Sequence, residues 1–104
     1  MARVLLYNFA DEERRRAVKA LLFRFSVPCR EVPAESPFAD EMLVMHGLSK
    51  RQFNGLLDGL RQAGVQVLLK AVVTPHNVGW SANQLYAEIL AEHEAMRAAA
   101  EGKN

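Results

Sequence analysis

Short apolar runs alternate along this chain with stretches whose apolar residues recur at helical spacing, and that alternation limits most what it can fold into. Val4-Leu5-Leu6-Tyr7, too short for a helix and soon followed by charge, reads as a buried strand. The next stretch sets Val18, Leu21, Leu22 and Phe25 at i, i+3, i+4 and i+7, the stripe of an amphipathic helix. Such alternation favours an α/β domain. At 104 residues the chain is one domain, 1–104, with its tail from about residue 98 expected to fray.

Local signals place the elements. Asp11 can cap the first helix, and Glu12 and Glu13 suit the positive end of its dipole. Asp11/Arg15 and Glu12/Arg16 stand at i, i+4 with the acid first, each pair worth roughly 0.2–0.5 kcal/mol. Pro28 stops the helix by Val27. Cys29 to Val32 reads as a short second strand and Pro33 to Glu41 as a loop. Met42 to Met45 is apolar again, but four residues fit a strand or a helical turn, and both stay open.

Ser49-Lys50-Arg51-Gln52 is a capping box, stapled by Leu48 and Phe53. Phe53, Leu56, Leu57 and Leu60 continue that helix, and Gly64 is placed to end it. Gly55 and Gly59 inside it either permit close packing or loosen it. Val65 to Thr74, the most apolar run, predicts the longest strand, in mid-sheet and covered on both faces. Ser81-Ala82-Asn83-Gln84 is a second capping box, stapled by Trp80 and Leu85. It opens a helix from about Ala82 to Glu101, with Leu85, Ile89 and Met96 on one stripe and Gly102 as its stop.

The expected architecture is a small three-layer sandwich with three helices and a short, mostly parallel sheet. The sheet has three strands, or four if Met42–Met45 is one, and the first strand lies beside the last. A split ferredoxin-like arrangement competes if Met42–Met45 is an antiparallel strand.

Composition narrows the function classes. Thirteen basic side chains against 12 acidic leave a net charge of +1, without the basic excess of a nucleic-acid binder. Arg14-Arg15-Arg16 with Lys19 and Arg24 reads as a solvated helix face. The most apolar stretch, broken by Gln66 and Lys70, is too short to span a membrane. One cysteine, Cys29, forms no internal disulfide, and the opening apolar run breaks at Asn8, so a cytoplasmic setting is expected. His46, His76 and His93 lack ligand spacing, so no metal site is expected. No glycine-rich phosphate loop follows a strand, and no cofactor is expected. No serine sits in a nucleophile elbow and no acid–base pair stands out, so no reaction is named.

Ligands of parallel sheets gather beyond the carboxyl ends of the strands. With the first and last strands as neighbours, Asn8 and Asp11 approach Thr74, His76 and Asn77, near two helix N-termini that suit a small anion. The plainer reading makes Thr74 and Asn77 a structural turn and Trp80 half of a staple, and it is the favoured one.

Lys70-Ala71-Val72-Val73-Thr74-Pro75-His76-Asn77-Val78-Gly79-Trp80 resembles the K-A-x-x-T-x-x-N-x-x-W signature of a small bacterial family, domain of unknown function 3783. Val4 to Phe9 and Leu90-Ala91-Glu92-His93-Glu94 are similar to it too. The resemblance implies a small stand-alone bacterial α/β domain, with no established activity to carry over. The leading expectation is therefore a binding or protein–protein interaction module, homodimeric through its last helix or an exposed sheet edge. Neither nucleic acid nor membrane is an expected partner. A small anionic ligand, or an enzymatic site, at the strand ends is the alternative.

Overall fold

Among the residues that the computed structural model describes (2–32, 38 and 40–101), seven elements follow one another. They are β1 (Arg3–Tyr7), α1 (Glu12–Arg24), β2 (Cys29–Val32), β3 (Met42–His46), α2 (Lys50–Gln62), β4 (Leu69–Val72) and α3 (Ala82–Glu101). Most of the expected Pro33–Glu41 loop, and the Gly102 stop, lie outside the described residues.

The caps form as their residue types require. Asp11 accepts the Arg14 N–H at 2.9 Å, opening α1. In both boxes the hydroxyl of the capping serine accepts from the third helical residue, whose amide oxygen accepts in return: Ser49 with Gln52, and Ser81 with Gln84. α2 ends where Gly64 takes a φ of 71°, a conformation that costs a glycine little.

The four strands lie in the order β2-β1-β3-β4. β1 pairs parallel with β2, β3 pairs parallel with β4, and the two pairs meet antiparallel along β1 and β3. The sheet is thus mixed and mostly parallel, and α1 and α2 each link the two strands of one parallel pair. Val4 and Leu6 of β1 and Leu43 and Met45 of β3 bury one face against Val18 and Leu22 of α1 and Leu56 and Leu60 of α2. On the other face Met42, Val44, Leu69 and Ala71 meet Leu85 of α3, with Ile89 and Leu90 packed beside it. Three layers result, as the alternation of patterns implied.

One open choice is settled and three expectations need correction. Met42–Met45 is a strand and not a helical turn. Its residues are buried without a break because helices cover both faces of the sheet there. That strand lies between the first and the last, which are therefore not neighbours. Nor is the arrangement the split ferredoxin-like one, since β1 and β2 bond directly with no strand between them. The Val65–Thr74 run supplies only a four-residue strand, and at the edge of the sheet. Val65 and Val67 bury in the α1/α2 core before pairing begins.

Two smaller points differ as well. Arg15 reaches Glu31 at 3.4 Å and not Asp11, whose carboxylate is engaged as the cap. Met96 leaves the core stripe of α3 and is 73% exposed, because α3 outruns the short strands beneath it. No helix among the described residues is long and apolar enough to cross a membrane.

Candidate functional site

The sequence placed five residues at one ligand site, and the topology divides them between two ends of the sheet. Tyr7 of β1 is level with Met42, which is level with Leu69 at the start of β4. Asn8 therefore emerges at the end of the sheet where β4 begins, and Thr74 at the end where β4 finishes. About 20 Å of strand length separates the two levels.

At the first end, Asn8 takes a φ of 62° and donates from its side-chain amide to the carbonyls of Phe38 (3.3 Å) and Asp40 (2.9 Å). Asp11 caps α1. At the other end the Thr74 N–H donates to Asn77 Oδ1 at 2.8 Å, and Asn77 Nδ2 donates to the Val72 carbonyl at 3.2 Å. One amide thereby ties the turn back onto the end of β4 through two bonds, as the plainer reading had it. His76 lies edge-on to Trp80 with ring centroids 5.4 Å apart, and it is exposed.

A better-formed site lies on the α2 side of β4. The chain leaves α2 through Gly64 and runs back along the sheet, so Val65, Val67 and the α2 residues Leu57 and Leu60 wall a groove of ≈ 500 Å³. Strand alternation turns Leu69 and Ala71 toward α3 and Lys70 the opposite way, into this groove. Arg61, in the last turn of α2, is the second cation on its lining, and among the described residues no carboxylate lines it.

The Lys70 amine donates to the Val67 carbonyl. Although much of the side chain is exposed, desolvation lowers its pKa from the ordinary lysine value. Arg61 meets Asp58 at 3.4 Å across open surface, a pairing that holds it weakly. Such a groove can receive an anion that carries an apolar portion. Among the described residues no group of three or more histidine, cysteine or acidic side chains is placed to hold a metal ion. Sequence reasoning missed Lys70 because it took the run for a central strand. The signal was a lysine set inside the most apolar segment of the chain.

Comparison with known proteins is consistent with the motif. A family model described as a domain of unknown function (DUF3783) matches residues 41–96, the stretch from β3 into α3. No curated protein matches the chain. Among solved structures, FG41 malonate semialdehyde decarboxylase inhibited by 3-bromopropiolate overlaps at 20% sequence identity, covering 79% of this chain and 88% of the other, with a TM-score of 0.35. No functional reading follows from so distant an overlap.

Proposed function

The chain belongs to the DUF3783 family, whose function is unknown, and we propose that it is a binding module for a small amphipathic anion held in the Lys70 groove. The carrying observation is that, among the described residues, two cations and four aliphatic side chains line this groove and no acid does. A carboxylate reaching the Lys70 amine exchanges solvent for a charge-assisted bond, and its hydrocarbon lies on Leu57, Leu60, Val65 and Val67. This takes up the anion of the alternative expectation and moves it from the strand ends to the strand edge. Among the described residues lining the groove no nucleophile stands with an activating base, and binding is the reading preferred over turnover.

Octanoate followed by amide chemical shifts tests it. The shifts should cluster at Gly64, Val67 and Lys70, octylamine should produce none there, and Lys70→Met should weaken octanoate about tenfold. Equal affinity in Lys70→Met, or shifts confined to other surfaces, would overturn the assignment.

A second reading, homodimer formation through α3, is favoured by one observation. Met96 stands exposed on a helix whose residues from Glu94 to Ala100 are all exposed, four of them alanines. Light scattering over a wide concentration range decides it: a dimer mass that Met96→Glu reduces to a monomer mass supports the contact. A monomer mass throughout removes it.

A further inference from the structure

Lys70 is set in the most apolar run of the chain, and its surroundings differ from those of the other described lysines. Lys19 is paired with Glu31 at 3.0 Å, and Lys50 opens α2 on exposed surface. Lys70 instead turns its flexible stem back toward the start of β4, where its amine donates to the carbonyl of Val67. Val67 is 2% exposed, and both residues line the groove of ≈ 500 Å³, so the bond seats the amine against the groove wall. Among the described residues, no carboxylate lines the groove to hold that amine as an ammonium ion.

An amine in that setting is a nucleophile as well as a cation. Burial pushes its pKa below the ordinary lysine value, which raises the share of neutral amine relative to an open lysine. The wall beside it is hydrocarbon, from Leu57, Leu60, Val65 and Val67. A chain of several carbons laid on that wall brings its head group to the amine. Attraction of an anion uses the protonated amine and bond formation uses the neutral one, so the two protonation states suit two kinds of ligand.

We propose that Lys70 captures an aliphatic aldehyde in this groove as a reversible imine. The lone pair of the amine attacks the carbonyl carbon, the C–O π pair moves to oxygen, and a proton passes from nitrogen to that oxygen. The resulting carbinolamine expels its hydroxyl, which leaves as water with the second nitrogen proton while the C=N bond closes. Aldehyde and amine enter, imine and water result, and no oxidant or reductant is consumed. Water hydrolyses the imine by the reverse path, so the residue holds the aldehyde and does not transform it. The inference rests on the same groove as the reading above, and not on the charge of the ligand.

Octanal and propanal, each with cyanoborohydride to fix imines as secondary amines, test the proposal on the intact chain near neutral pH. Peptide mass mapping reads which lysines are marked. Octanal should mark Lys70 roughly tenfold faster than Lys19 or Lys50, and propanal, too short to cover the wall, should lose most of that preference. The preference should shrink as pH rises and the open lysines also become neutral. Leu57→Asp keeps Lys70 but puts an acid on the half-buried wall, and should abolish the preference. The chain-length and pH comparisons use the wild type, so they decide the matter even if that variant is unstable. Octanoate should protect Lys70 and leave Lys50 unprotected. Lys70 marked no faster than the other two, or equally fast by both aldehydes, would overturn the imine, and octanoate shifts at Gly64, Val67 and Lys70 would then leave the anion reading standing. Selective marking that octanoate does not suppress would support the imine and remove the anion reading alone.

Discussion

Asn77 spends both ends of its side-chain amide on the backbone, at Thr74 and Val72, while His76 beside it only leans on Trp80. Asn77→Ala should therefore cost about 1 kcal/mol, a drop of roughly 4–8 °C in the melting midpoint, and His76→Ala should stay within about 0.5 kcal/mol. Lys70 lends itself to a pH test. Its folded pKa is depressed below the ordinary 10.5, so the folded chain sheds that proton first. Stability from the neutral amine is fully present above 10.5 and is lost as pH falls through the folded value. Thermal melts across that alkaline window should show the wild type gaining on Lys70→Met as pH rises. Local polar chemistry of this kind was legible where partners are close in sequence, as in the Asn77 turn and the three caps. Arg14 was not legible. It read as part of a solvated face, yet it binds Glu41 and the Gln66 carbonyl, 27 and 52 residues away.

At the scale of elements, α1 and α2 meet where the two glycines of α2 leave no side chain. A Cβ at Gly55 would stand 2.3 Å from the Phe25 ring, and one at Gly59 would stand 2.4 Å from Leu21 Cδ2. The glycines therefore serve close packing, one of the two readings their spacing allowed. Alanine inside a helix ordinarily gains up to about 1 kcal/mol over glycine, and overpacking costs about 1–3. Gly55→Ala, pressed by three atoms of a stiff ring, should lower stability by roughly 1 kcal/mol in a denaturant titration. Gly59→Ala should fare better, because a leucine methyl can rotate away. Restoring space with Phe25→Leu should lessen the Gly55→Ala penalty. Helix positions were readable from periodicity and caps because both lie within a turn or two. β3 was not, since a strand covered on both faces shows no alternation.

Over the whole molecule, the layering could be read from the sequence and the strand order could not. Alternating patterns imply helices against a sheet, but which strands are neighbours depends on pairings between residues some 40 positions apart, such as Val4 with Met45. That single misplacement moved the expected site, because reversing β4 relative to β1 sends their ends apart. The same topology has a consequence for assembly. Each half, β1-α1-β2 and β3-α2-β4, makes its own parallel pair, and in the sheet only the β1–β3 seam joins them. A chain cut between Val32 and Met42 thus yields two peptides whose shared boundary is one antiparallel ladder, the contact of two helices and side-chain bonds such as those of Arg14 to Glu41 and the Gln66 carbonyl. The first, at about 40 residues, is too small to hold a core alone. Mixed, the two should complement one another and recover a single cooperative melt, with β1–β3 pairing as the rate-limiting encounter.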